Sequence, residues 1–175
     1  MHLIIDGYNL LGAIRTAAGP QSRLSEMARE SLLRELAVYR QQKGHAVTVV
    51  FDGWLHGQPI EGREHRLGIE VIYSKRGEKA DQVIQRLARE YGSDCAIVSS
   101  DREVSNHARA HGAFVMEASE FAARLLVTQC RSAASAGKEL DEGDDERPRR
   151  SPEKKGNPRK LPKSRRRRSR QLGKF

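Results

Sequence analysis

Five short runs rich in Val and Ile recur along this chain, and most of the intervals between them carry apolar residues at helical spacing. The runs are HLIID (2–6), AVTVVFD (46–52), GIEVIYS (68–74), CAIVSS (95–100) and AFVM (113–116). Ala28, Leu32, Leu36 and Tyr39 line one face of the first long interval, and Val83, Ile84, Leu87, Ala88 and Tyr91 line the next. A third helix is expected over 101–111. A fourth, over 120–129, is expected to bury Phe121, Leu125 and Leu126. Gly44, Gly92 and Gly112 stand just past three of these segments, where glycine takes the left-handed backbone that stops a helix. Near-continuous apolar strands alternating with helices specify a mainly parallel sheet covered on both faces. The expected architecture is a three-layer α/β/α sandwich.

Two segments break the alternation. Residues 53–66, GWLHGQPIEGREHR, hold Gly53, Gly57, Pro59 and Gly62 and read as a loop. Trp54 within it is read first as a cap on the core edge and second as a surface for stacking a base. From Arg131 onward periodicity stops, and Ser, Ala, Gly, Pro and charge cannot bury enough apolar area to offset ordering entropy. The expected organisation is therefore a folded domain over 1–130 and a tail, disordered in isolation, over 131–175. Charge divides the same way. Residues 1–138 carry 18 Lys+Arg against 16 Asp+Glu, 139–146 carry six acids, and 147–175 carry 14 Lys+Arg against Glu153 alone. The formal net charge of +9 thus belongs to the tail. Cys95 and Cys130 lack CxxC spacing and suggest no disulfide framework. No signal peptide is visible and no apolar run nears the roughly 20 residues that span a bilayer, so the chain is expected to be cytoplasmic and not to bind membranes.

In an open parallel sheet, ligands bind beyond the carboxyl ends of the strands. Asp6 ends the first run, Asp52 ends the second, Asp101 follows CAIVSS, and Asp81 lies near the start of the helix after the third. Four carboxylates at one sheet edge suit a hard divalent cation such as Mg²⁺ or Mn²⁺. Each has a plainer reading. Asp52-Gly53 is a turn signature. Asp101 favours a helix N-terminus through the dipole, and Asp81 is a first-turn acid. Ser100 with Glu103 three residues on reads as a capping box. Asp6 has the weakest alternative, since no capped helix is evident directly after it. Other chemistries lack their motifs. There is no GxxxxGK[ST], GxGxxG, HExxH or GxSxG. Tyr8 stands where an aspartyl phosphatase of the haloacid dehalogenase type would place its second acid. His107 and His111 are four apart on a helix, a spacing more often solvated than metal-binding.

IIDGYNLL, VVFDG, VIYSKRGEKADQVI, IVSSDREV and HGAFVMEASEF, in this order, resemble the bacterial YacP-like proteins of the NYN family, within the PIN-like nuclease superfamily. The resemblance covers roughly residues 1–129 and leaves the tail outside. It implies a PIN-like sandwich and a divalent-metal ribonuclease, with Asp6, Asp81 and Asp101 as the catalytic metal site and Asp52 as its fourth member. It also implies that Asn9 orients a ligand or phosphate. The family's Glu-Thr-Ala-Asp stretch here reads Glu78-Lys79-Ala80-Asp81, with Lys79 in place of a small polar residue. Lys75, Arg76 and Lys79 lie near the same edge as candidates for flanking phosphates, and Ser100 is counted with the substrate-binding residues beside its capping role. The expected activity is metal-assisted, endonucleolytic hydrolysis of RNA, mRNA or rRNA. The arginine-rich tail is expected to hold RNA or the ribosome through counterion release, with the acidic stretch 139–146 screening it. The rival expectations are a non-catalytic RNA- or ribosome-binding protein on a nuclease-like fold and a DNA flap or exonuclease.

Overall fold

Six strands form one sheet in the order β3-β4-β2-β1-β5-β6 in the computed structural model, which describes residues 1–14, 25–53 and 60–136, from 129 onward as backbone. The strands are β1 (His2–Asp6), β2 (Ala46–Phe51), β3 (Gly62–Arg66), β4 (Ile69–Tyr73), β5 (Cys95–Val98) and β6 (Phe114–Met116). All pair in parallel except β3, which runs antiparallel to β4. The described helices are α1 (Gly7–Ile14), α2 (Glu26–Lys43), α3 (Ala80–Tyr91), α4 (Arg102–Ala110) and α5 (Ala118–Ala136). Residues Met1–Cys130 form one compact unit, and Arg131–Phe175 a second, of which only the helical backbone to Ala136 is described.

Side chains alternate across the sheet, as strand geometry requires. Ile4, Val50, Ile72 and Ile97 share one face and pack with Val83, Ile84 and Leu87 of α3 and Val104 and Ala108 of α4. Leu3, Ile5, Val49 and Phe51 take the other face, equally buried, where α1 and α2 lie. Tyr39 of α2 meets Phe121 of α5 edge-on at 5.2 Å. Each fully buried Leu, Ile, Val or Phe contributes about 1.5–3 kcal/mol relative to exposure, so both faces are needed to hold so short a set of strands. The start of α2 is set by Ser25, whose Oγ accepts from the Ala28 N–H at 3.2 Å. Its end is set by Gly44 at φ 69°, which donates to the Arg40 carbonyl at 2.8 Å.

Four local expectations change. Gly62–Arg66, expected within a loop, is the edge strand β3. It joins β4 through Leu67 (φ 53°) and Gly68 (φ 78°), and two central residues at positive φ make the tight turn that suits strand twist. Helix α1 follows Asp6 directly, where no capped helix was expected. Helix α5 starts at Ala118 and its backbone continues to Ala136, past the expected end at 129 and past residue 131, where disorder was expected. Leu126 is exposed rather than buried, with Phe121 and Leu125 alone of the expected three in the core. Cys95 is buried as expected. Trp54 lies outside the described residues, as do the acidic stretch 139–146 and the basic arm 147–175. Among the described residues no helix is long and apolar enough to cross a membrane.

Candidate active site

From β1 the chain moves to β2 and β4 on one side, then returns to the other side of β1 as β5. The carboxyl ends of β1 and β5 therefore flank the point where winding reverses, the usual crevice of such sheets. Asp6 is the last residue of β1 and is buried at 8% exposure. By strand alternation it shares the face of Ile4, toward α3 and α4. Its Oδ1 accepts from the Asn9 N–H at 3.0 Å, the bond of an N-cap, so Asp6 also starts α1. Asp101 caps α4, with Oδ1 accepting from the Glu103 N–H at 2.7 Å and the Val104 N–H at 3.1 Å. The capping reading thus belongs to Asp101 and not to Ser100. Ser100 instead donates its N–H to Asn9 Oδ1 at 3.2 Å and accepts from the Ala118 N–H at 3.3 Å. Asn9 ties the β1–α1 junction to the β5–α4 junction, which leaves its amide NH₂ for a ligand.

Asp81 is the second residue of α3 and half-buried. The three carboxylates feel one another. Burial pushes the Asp6 carboxyl up to about 6, the charges of Asp81 and Asp101 add to the rise, and hydrogen bonds from the Asn9 N–H and the Ser99 side chain oppose it. The Asp81 carboxyl is also raised, by burial first and then by Asp101, with Asp52 and Glu103 adding and Lys79 opposing. These are groups that favour a shared cation or a shared proton. Asp52 lies two residues past Val50, the register partner of Asp6, and so stands farther out on the same face. Its carboxylate accepts from Ser74 Oγ at 3.4 Å, and Ser74 Oγ accepts from the Gly53 N–H at 2.9 Å. The turn reading and the site reading of Asp52 are therefore compatible.

Two serines escaped sequence reasoning. Ser99 is fully buried, accepts from the Asp101 N–H at 3.1 Å and acts to hold the Asp6 carboxyl down against the effect of burial. Ser74, also buried, holds Asp52. Strand register, once the sheet is known, places both. Ile5 pairs with Val98 and Phe51 with Tyr73, so the next residues, Asp6 with Ser99 and Asp52 with Ser74, are neighbours. Of the expected cations, Lys79 lies within the field of Asp81. Arg76 is exposed in the turn at 76–77, and Lys75 faces a separate recess. His107 and His111 stack on each other at 4.4 Å.

The donor set is all oxygen, which suits Mg²⁺ or Mn²⁺ over softer metals. Among the described residues no three His, Cys, Asp or Glu side chains form a group that could hold an ion directly. Mg²⁺ does not require one. It keeps several waters and is commonly bound through one or two carboxylates plus substrate phosphate. Mutually repelling carboxylates around a buried Asp6 fit that mode of binding.

Comparison with known proteins agrees with the fold. The family model for the YacP-like NYN domain matches residues 3–168. That span runs past residue 129, where the sequence resemblance was placed, and takes in most of 131–175. The chain is 36% identical over 87 residues to "Uncharacterized protein YacP" of Bacillus subtilis. That alignment covers 50% of this chain and 51% of the relative, so the chain spans about half the length of the curated relative it matches. Two crystal structures of Rae1 (YacP) from Bacillus subtilis are similar in fold. A tryptophan-to-leucine mutant superposes with a TM-score of 0.64 at 29% identity, covering 83% of this chain and 86% of that one. The other gives 0.63 at 27% identity, covering 79% and 80%.

Proposed function

The chain belongs to the YacP-like NYN domain family, and from that premise we propose that it is a divalent-metal-dependent ribonuclease that hydrolyses RNA within the strand. The observation that carries the reading is that Asp6, Asp81 and Asp101, from three separate elements, lie within one another's electrostatic reach at the reversal point of the sheet, with Asp6 buried and its carboxyl raised to about 6 by that burial first and by the two neighbouring charges second. A bound Mg²⁺ or Mn²⁺ supplies Lewis-acid polarisation of the phosphoryl oxygen and acidifies a water. The residues that would hold it are Asp6, Asp81 and Asp101, with Asp52 farther out. The protein's own groups do the positioning. Asp101 is locked by two backbone N–H groups, and Asp6 by the Asn9 N–H. In this reading the Asn9 amide and Lys79 would donate to phosphate oxygens, and the carboxylates would accept the protons of the attacking water.

One observation favours a binding-only protein, namely the lack of a closed three-residue chelate among the described residues. It weighs less than the charge cluster, because a binding surface for RNA has no use for converging carboxylates that repel phosphate. The test is cleavage of single-stranded RNA beside matched DNA, with and without Mg²⁺. Asp81→Asn should lower RNA cleavage by more than about a hundredfold, beyond the range for groups that only support a metal's ligands, with circular dichroism unchanged. EDTA should abolish cleavage. Undiminished cleavage in excess chelator, or full activity of folded Asp81→Asn, would refute the reading.

The same proposal gives the basic arm a role. Residues 147–175 hold 14 Lys+Arg, and such arms bind polyanions through counterion release. Deleting 147–175 should make the salt dependence of RNA affinity shallower by about 0.7 for each phosphate the arm neutralises, while single-turnover cleavage at saturating RNA persists. Equal salt slopes for both proteins would remove RNA as the arm's partner.

A further inference from the structure

An open recess of about 450 Å³ is lined by Ile60, Glu61, Arg63, Lys75, Glu78 and Arg86. It is built from β3, the connection between β4 and α3, and α3 itself. That connection also leads to Asp81, three residues after Glu78. The segment that lines the recess thus leads directly in sequence to a proposed metal-holding residue.

Its charges are unevenly satisfied. The Glu61 carboxylate accepts from Arg63 Nε at 2.7 Å through one oxygen and from Arg86 through the other. Arg86 also reaches Glu78 Oε1 at 3.3 Å, and Arg63 reaches Glu70 Oε1 at 3.1 Å. Lys75 is exposed and has no ion pair among the described residues. Glu78 Oε2 is buried without a partner there. One carboxylate laid across two guanidiniums, with a spare ammonium nearby, is the geometry that a phosphodiester's two free oxygens would also take. Within the lining two guanidiniums and an ammonium face two carboxylates, and Glu70 behind Arg63 brings the cluster to balance, so release of Glu61 is what frees positive charge for a ligand.

We propose that this recess binds a backbone phosphate of the RNA strand flanking the scissile bond, and that Glu61 occupies the phosphate position in the free protein. The strand's phosphate meets Lys75 first and then displaces the Glu61 carboxylate from Arg63 and Arg86. The charge on the arginines is conserved through the exchange, so Glu61 sets the affinity threshold by competition. The inference rests on the ribonuclease reading for its ligand, and its test is arranged to separate the two.

Affinity for a short fluorescein-labelled single-stranded RNA is measured in EDTA, where cleavage is not required, for the full chain and for Glu61→Gln, Lys75→Gln, Arg86→Gln and Arg86→Lys. Glu61→Gln should tighten binding by about two- to fivefold, and Lys75→Gln should weaken it by a similar factor, the range of one exposed charge pair. Arg86→Gln should weaken it, and Arg86→Lys should recover part of the loss, since charge returns without the fork. Lys75→Gln should also make the salt slope shallower by about 0.7, a change that a purely structural lysine would not produce. Thermal unfolding of each variant separates lost binding from lost folding, and exposed Lys75 keeps the test decisive if Arg86 variants unfold. Unchanged or weaker binding by folded Glu61→Gln, or an unchanged slope in Lys75→Gln, overturns the proposal. Failure of the wild-type chain to cleave RNA would refute the ribonuclease reading instead, and would leave these affinities to judge the recess on its own.

Discussion

In metal-free buffer at about pH 7.5, Asp6→Asn should unfold at a higher temperature than the wild-type chain, by several degrees, while in Mg²⁺ its RNA cleavage falls on the order of a thousandfold below wild type. The opposite signs have one cause. Asp6 sits at the end of β1 with 8% exposure and its carboxyl is raised from 3.8 to about 6, by burial first, with repulsion from Asp81 and Asp101 adding. A carboxyl raised in the folded state binds its proton more tightly there than in the unfolded chain. Its contribution to stability is therefore fully present below 3.8 and is lost as pH rises through about 6. At neutral pH the folded state bears an ionised buried carboxylate at a cost of about 1.4 kcal/mol per pKa unit, on the order of 3 kcal/mol. Asparagine removes that cost, and its side-chain oxygen still accepts the Asn9 N–H that starts α1. The stabilisation should shrink as pH falls toward about 4 and vanish below it, because wild-type Asp6 is then neutral too. Cleavage should not recover at any pH, since several kcal/mol of transition-state charge stabilisation depends on that carboxylate's affinity for a cation. Mg²⁺ should raise the melting temperature of the wild-type chain and leave that of Asp6→Asn nearly unmoved, because only a ligand bound by the native state stabilises it. Paired melts in EDTA and in Mg²⁺ across this pH range make the check. A variant no more stable than the wild-type chain at about pH 7.5 would mean that Asp6 is not held against its charge.

The same residue shows where sequence reading stopped. The five apolar strands were legible because both faces of a parallel sheet are buried, so Val and Ile run nearly unbroken through them. Helices α2 and α3 were legible because Leu32, Leu36 and Tyr39, and Val83, Ile84 and Leu87, repeat at helical spacing. Strand β3 was not. Its sequence GREHR holds no apolar side chain, and an exposed edge strand needs none, since pairing with β4 rather than burial keeps it in place. Helix α1 was missed for a different reason. It opens Gly7-Tyr8-Asn9, three poor helix formers, and tertiary contacts hold it where propensity does not. Tyr8 lies edge-on to Phe51 at 5.3 Å and accepts from Arg29 at 3.2 Å. The gathering of Asp6, Asp81 and Asp101 could be foreseen from their places at strand ends and helix starts. Ser99 beside Asp6 and Asp101, and Ser74 beside Asp52, could not be weighed without register, which composition does not contain.

Gly7→Ala should cost about 1–3 kcal/mol of stability, the range for overpacking a filled core, even though alanine is the better helix former by about 1 kcal/mol. Backbone conformation is not the reason for glycine here, because Gly7 is absent from the positive-φ positions and begins an ordinary helix. Space is the reason. A Cβ on Gly7 would overlap the ring of Phe51. That ring has no exposure and no room to retreat, with Tyr8 against one side and Tyr73 stacked at 5.8 Å. Something must shift, and the element free to do so is the short helix α1. Moving its first turn breaks the Asn9 N–H bond to Asp6 and the bond from the Ser100 N–H to Asn9 Oδ1. Those two bonds fix the β1–α1 junction against the β5–α4 junction, so cleavage should fall together with stability. Shortening the obstacle should reverse the effect. Phe51→Leu alone gives up apolar packing and is destabilising, yet Gly7→Ala should be nearly harmless in its presence, giving a coupling energy between the two sites of about 1–3 kcal/mol. Urea denaturation of the two single variants and the double variant measures that coupling. Additive losses would place the requirement for glycine elsewhere than the Phe51 ring. Coupling in stability without recovery of cleavage would mean that the first turn of α1 acts on the aspartates by a route other than Asn9.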